Sequence, residues 1–211
     1  MHALSIDEAR KPFEPVKWTP GTDTTHDGRE TLFKQVWFAG NHADIGGSYS
    51  ENESRLSDNA LLWMGKQATS IPAPIFVDPR YINLYPIHDA QQHDECKIGV
   101  PIFFGLATYQ WESLDRTIKL DAPLHPSARM RFEVEAVLHH DVMMPYRPKK
   151  LRDHKDVRHF YMADALIETQ GPQAYGEAQK KVAETRAAGD VGEQQYWERV
   201  SVEIARRSRK Q

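Results

Sequence analysis

Two hydrophobic patterns divide the chain. After Asp153 apolar residues recur three and four apart, as they do along the buried stripe of a helix. Phe160, Ala163 and Ile167 share one face that ends at Gly171. Tyr175, Ala178 and Val182 share a second that ends near Gly189, and Trp197, Val200 and Ile204 share a third. Glycine just past a helical stripe is a common helix stop. The spacing predicts three helices, the last capped by Asp190, with Arg206, Arg207, Arg209 and Lys210 where cations suit its C-terminal end. Before residue 152 the apolar runs are short. Val36 to Phe38, Ile75 to Val77 and Ile102 to Phe104 are the clearest strand candidates, among prolines that impose extended or turning backbone. So long an irregular stretch predicts a lid, a substrate wall or a linker. The expected division is residues 1–152 and a mainly helical extension over 153–211.

The run VWFAGNHADIGGSY, Val36 to Tyr49, carries most of the candidate chemistry. Val36, Trp37 and Phe38 read as a buried strand that stops at Gly40. Asn41, His42, Ala43 and Asp44 then leave the sheet as a loop, with Gly46 and Gly47 supplying backbone freedom. A helix is expected next, with Ser57 as N-cap, Asp58 in its first turn, and Ala60, Leu61, Met64 and Ala68 along one face. Strand, histidine loop and helix, in that order, is how an α/β-hydrolase presents the base of its triad. An imidazole suits general base catalysis because its ordinary pKa of about 6.5 leaves it neutral yet able to accept a proton near pH 7. The competing reading of His42 is a ring that only hydrogen-bonds the glycine turn. Asp44 reads as a brace that accepts turn amides, or as a substitute triad acid. Bracing is favoured, because residues two apart on a tight loop seldom bring a carboxylate to the far side of the same ring. Asp7, Glu8 and Arg10 read as a local salt-bridged turn, with Asp7 a second choice for an acid partner of His42.

The block VWFAGNHADIGGSY with LSDNALLWM resembles the histidine motif of the type VI secretion phospholipase effectors of the first lipase class, an α/β-hydrolase family. Trp37, Phe38, Gly40, His42, Asp44, Gly46, Gly47, Tyr49, Leu56, Asp58, Leu62, Trp63 and Met64 stand at matching positions. The segment His2 to Trp18 resembles the part of the family upstream of the histidine. LHPSARMRF and MPYRPKKL resemble its closing part, so the resemblance touches most of residues 1–152. It implies an α/β fold, His42 as the catalytic base, and hydrolysis of phospholipid or a similar acyl ester without metal or organic cofactor. His125, Ser127 and Arg129, in the first closing segment, are expected either to line the cleft or, for Ser127, to cap a short helix. The family's serine elbow, G-x-S-R-G-A, and its acid motif, W-D-T-V, do not occur in these 211 residues. The expectation is therefore a partial α/β-hydrolase, opening mid-domain and inactive alone, whose missing half is an upstream segment or polypeptide. Its strand at Val36 to Phe38 is then expected to lack parallel neighbours and present a sticky edge.

Composition narrows the alternatives. The chain is 40% apolar and 27% charged, with mean hydropathy of -0.65, a hydrophilic balance with a modest core. Lys plus Arg total 27 against 30 for Asp plus Glu, a net charge of -3 that gives no field for nucleic acid. One cysteine, Cys96, allows no intrachain disulfide and fits a reducing compartment. No segment reads as a signal peptide or a membrane span, which predicts a soluble cytoplasmic chain, with leaderless export left open. Ten histidines raise a metal site as another class, through His88, Asp89, His93, Asp94 and Cys96, or His139, His140 and Asp141. No H-E-x-x-H or paired C-x-x-C occurs, and solvated histidines are the favoured reading there. A third class is a noncatalytic binding module in which the hydrolase part is scaffold.

Overall fold

The structure, a computed structural model, describes residues 1–17, 25–26, 29–30, 33–102, 105–139 and 141–209. Trp18, Phe103, Phe104, His140 and Lys210, which figure in the sequence reading, lie outside the described residues. In chain order the strands are β1 (His2–Ser5), β2 (Thr25–His26), β3 (Arg29–Glu30), β4 (Gln35–Phe38), β5 (Lys97–Ile102), β6 (Gly105–Gln110), β7 (Val137–His139) and β8 (Val142–Met144). The helices are α1 (His42–Gly46), α2 (Arg55–Thr69), α3 (Pro126–Glu133), α4 (Arg158–Gln170), α5 (Ala174–Ala187) and α6 (Val191–Ser208). The result is a mixed α and β chain in which helix exceeds strand and the sheets are small. It forms two compact units, Met1–Lys150 and Leu151–Gln211. No helix among the described residues is long and apolar enough to cross a membrane.

In the first unit β1 pairs with β4 in parallel, from His2 opposite Gln35 to Ser5 opposite Phe38. The other side of β4 is also paired. Trp37 donates its amide to Pro123 O at 2.9 Å and accepts from His125 N at 2.8 Å, a parallel bridge to Leu124. The expectation that Val36 to Phe38 lacks parallel neighbours is thus overturned. The amide and carbonyl of Trp37 point away from β1, and a segment about 87 residues later supplies their partners. Leu4, Ile6, Trp37 and Phe38 bury their side chains with Leu56 and Ala60 of α2 and with Leu124, Ala128 and Phe132. The Phe38 ring meets Trp63 edge-on at 5.6 Å and stacks on His125 at 4.3 Å.

Helix α2 starts at Arg55, two residues before Ser57. Ser54 holds the cap position without a side-chain cap bond, while the Ser57 hydroxyl donates back to Ser54 O at 2.6 Å. Arg55 anchors this turn through Asp58 at 2.9 Å and through Glu51. The expected apolar face splits. Ala60 is buried with Leu56, but Leu61 is 54% exposed and, with Met64, Ile75, Val77, Ile82 and Leu84, walls an open groove of about 710 Å³. Ile75 to Val77 forms no strand and Phe76 is 89% exposed. Pro72, Pro74 and Pro79 leave too few consecutive amides there to build a ladder. Of the Ile102 run, Ile102 ends β5, which pairs antiparallel with β6, while Phe103 and Phe104 lie outside the described residues; β7 and β8 also pair antiparallel.

The second unit holds the three expected helices. Helix α4 stops at Gly171 with φ of 53°, Gly189 follows α5 at φ of 72°, and Asp190 caps α6 by accepting from Glu193 N at 3.0 Å. Its core is Ala163, Ala174, Ala178, Val200 and Ile204, with Ile167 and Trp197 packed against it. Tyr175 is exposed; its smaller neighbour Ala174 takes the inward position.

Candidate active site at the ends of the parallel strands

Ligands of parallel α/β sheets settle beyond the carboxyl ends of the strands. Three segments end together here. Beyond β1 the ladder continues as Ile6 N donates to Phe38 O at 2.9 Å and Asp7 N to Gly40 O at 3.0 Å. The Ser5 hydroxyl also donates to Gly40 O, at 2.6 Å, and Gly40 N donates to an Asp7 carboxylate oxygen at 2.7 Å. Gly40 has φ of 114°, and a Cβ there would sit 2.5 Å from the Asp44 Cβ. Only glycine lets the chain leave β4 this close to Asp44.

His42 is the first residue of α1, not part of a loop. Asn41 caps this helix: its side-chain oxygen accepts from Asp44 N at 2.8 Å, and the Asp44 carboxylate accepts from Asn41 N at 3.0 Å. This reciprocal box satisfies two otherwise orphaned amides. The Asn41 amide nitrogen donates to the Tyr49 hydroxyl at 2.9 Å and to His93 O at 3.0 Å, tying the cap to a distant segment. Helix α1 closes at Gly47 with φ of 76°, whereas Gly46 is ordinary helix.

The His42 ring is solvent-exposed and lies 5.1 Å, centroid to centroid, from Phe13. It lines a cavity of about 230 Å³ with Leu4, Ser5, Phe13, Glu14 and Arg116. Its backbone N–H donates to Glu8 at 3.2 Å, but no described side chain hydrogen-bonds the ring. Neither proposed acid meets it. Asp7 is occupied by Gly40 N and by the Tyr146 hydroxyl at 2.7 Å, and burial raises its pKa. Asp44 turns its second oxygen to His93 Nδ1 at 2.8 Å, because residues two apart on a helix project to opposite sides. Burial raises the Asp44 pKa, against the opposing pull of His93 and two amides.

His93, Tyr49, Glu95, Glu8 and Arg10 complete a polar network beneath the helix. The His93 ring stacks on Tyr49 at 3.7 Å, and the Tyr49 hydroxyl donates to Glu95 at 2.5 Å. Burial and then the Glu95 carboxylate push the Tyr49 phenol up. Glu8 is 1% exposed. Burial alone would raise its pKa, but the Arg10 guanidinium, donating from two nitrogens, brings it below the ordinary range. His93 entered the sequence reading only as a metal candidate. Its tie to Asp44 spans 49 residues, and no local periodicity signals it.

His125 is the N-cap of α3, its Nδ1 accepting from Ser127 N at 3.3 Å and lying 2.8 Å from the Ser127 hydroxyl. Burial, and then Arg129 and Lys66, lower its pKa to about 4. His125, the buried Ser127 and the exposed Arg129 do not line the His42 cavity. Among the described residues no three His, Cys, Asp or Glu side chains converge as a metal set. The Asp94 carboxylate accepts from Cys96 N at 2.7 Å, and burial, then Asp94, push the Cys96 thiol up.

Residues 1–67 match the family described as T6SS, phospholipase effector Tle1-like, catalytic domain, the family that the histidine block resembles. The match takes in β1, β4, the Asn41 cap, His42 and most of α2. It ends before LHPSARMRF and MPYRPKKL. No curated protein and no solved structure matches the chain.

Proposed function

We propose that His42 is the general base of a lipase-type serine esterase site, acting on phospholipid or a similar acyl ester, whose serine and acid come from sequence outside these 211 residues. The observation that carries this reading is the placement of His42. A capped helix at the carboxyl end of the parallel strands holds its ring open to a cavity and without a hydrogen bond to any described side chain, inside the segment that matches a phospholipase catalytic domain. In such a site the neutral imidazole takes the serine proton as the oxygen attacks the ester carbonyl, then returns it to the leaving alcohol. In the chain alone no described serine meets the His42 ring, so that base forms no acyl-enzyme.

The purified chain should leave a chromogenic acyl ester intact. Co-expression with a polypeptide carrying a G-x-S-R-G-A elbow should restore hydrolysis that His42→Ala abolishes. Hydrolysis by the chain alone, lost in His42→Ala, would instead place the nucleophile within it. One observation favours a second reading, a noncatalytic binding module: no described carboxylate orients the His42 ring. That reading stands if the elbow-bearing polypeptide binds but gives no His42-dependent turnover.

A further inference from the structure

The cavity that His42 opens onto has a second wall with chemistry of its own. Residues 112–116 run along the outer side of the turn after β1, where Lys11 N donates to Glu112 O at 2.9 Å and Leu114 N to Ala9 O at 2.7 Å. This pairing delivers Arg116 to the outward edge of β1. Its guanidinium donates to Ser5 O at 2.9 Å and to Phe13 O. The residue is 7% exposed, and no described carboxylate stands within ion-pairing distance of it. Neither of two other well-buried arginines lines this cavity. Arg10 is forked onto Glu8, and Arg131, fully enclosed, donates to His88 O and Ala90 O beneath the Tyr146 ring.

Two neutral carbonyls satisfy hydrogen bonds of Arg116 but leave its charge uncompensated, and a buried charge without a direct counterion is costly. Asp7, Glu8 and Glu14 act on it only at longer range. Burial dominates and lowers its pKa despite them. A guanidinium has five N–H donors in a planar fork suited to phosphate oxygens, and here at least two carbonyls fix its plane in advance.

We propose that Arg116 is the anion anchor of the His42 cavity and holds the phosphate of a phospholipid while the acyl ester reaches the His42 ring. This assignment rests on the esterase reading of His42. The exposed Glu14 on the same cavity wall opposes an anion, so it limits affinity for a phosphate rather than creating it.

Binding can be measured on the full chain by titrating a dihexanoyl phospholipid below its micelle concentration, glycerol 3-phosphate and inorganic phosphate, with dihexanoylglycerol as uncharged control. The short-chain phospholipid should bind, and the uncharged lipid at least about tenfold more weakly, the size of one lost charge-assisted hydrogen bond. Arg116→Gln should weaken phospholipid binding by the same factor. Glu14→Gln, which leaves Arg116 and the fold in place, should tighten all three phosphates. Arg116-dependent binding by the chain, with no His42-dependent hydrolysis once the elbow-bearing polypeptide is co-expressed, sinks the esterase reading alone. Equal affinity for the two lipids, or unchanged phospholipid binding in both Arg116→Gln and Glu14→Gln, overturns the anchor. Inorganic phosphate binding as tightly as the phospholipid makes this a free-phosphate site and overturns the lipid assignment.

Discussion

The helical unit and the strand-end region of the first unit reach order by opposite means. In α4, α5 and α6 the core is built from apolar residues, Ala163, Ala174, Ala178, Val200 and Ile204, and each stripe lies within one helix, so its pattern is local. Around His42 the buried groups are Asn41, Asp44, Glu8, Ser5 and Arg116, and besides local partners each has one that lies 34 to 111 residues away in sequence. Apolar burial is non-directional and tolerates drift, whereas a polar network is stable only when nearly every member is satisfied. A site that must hold one imidazole in one place gains from the second kind of order, and depends on it.

The sharpest way to break this contrast is at Gly40. Gly40→Ala forces a Cβ to within 2.5 Å of Asp44 Cβ at a φ of 114°, and should cost about 3–5 kcal/mol in the first unit. Gly46→Ala meets nothing within 4 Å and should be neutral or stabilise by about 0.5 kcal/mol. Urea midpoints, with hydrogen exchange over residues 41–49, read both. Equal effects at the two glycines would show that the network does not hold the histidine helix.

The second test breaks the other side. Ile204 is 2% exposed in the core of the helical unit, and Ile204→Ala should cost about 2–4 kcal/mol through lost burial and the cavity left behind. Hydrogen exchange in peptides of α4, α5 and α6 reports it. A loss below about 1 kcal/mol would mean that the unit is held by its charged network, for instance by the buried Glu203 with Arg206 and Arg207, rather than by its stripe.

The same difference decides what could be read from sequence. The three tail helices, their glycine stops and the Asp190 cap were legible because periodicity and capping are short-range. Tyr175 was misplaced by one position because Ala174, with no bulk to signal it, faces in. The Val36 to Phe38 strand and its histidine were legible from an apolar run meeting glycines, but not its neighbour at Leu124, nor that His42 opens a helix. Serine's preference for caps points to Ser57, yet Arg55, gripped by Glu51 and Asp58, starts the turn earlier. Arg116 gave no signal at all. A lone arginine in an irregular stretch becomes notable only once its carbonyl partners and its missing carboxylate are seen in space.

His125 joins the two kinds of order, since its ring stacks on the apolar Phe38 while its Nδ1 caps α3, and it offers the smallest and most specific test. Burial lowers its pKa to about 4 from the ordinary 6.5. Between those values the unfolded chain binds a proton at His125 that the folded chain does not, so stability must fall as pH drops from 6.5 towards 4 and level off below. The full shift would correspond to about 3 kcal/mol. Because the ring is only partly buried, about 1–2 kcal/mol is the expected share after solvent screening. His125→Asn keeps a side-chain acceptor at the cap and removes the titration. Urea unfolding of both proteins from pH 4 to pH 8 should give parallel curves above pH 7 that separate on acidification, the wild-type chain losing more. Curves that stay parallel throughout would mean that the ring is protonated in the fold. The cap would then be held by something other than a neutral Nδ1, and the stacked Phe38 would face a cation instead of a neutral ring.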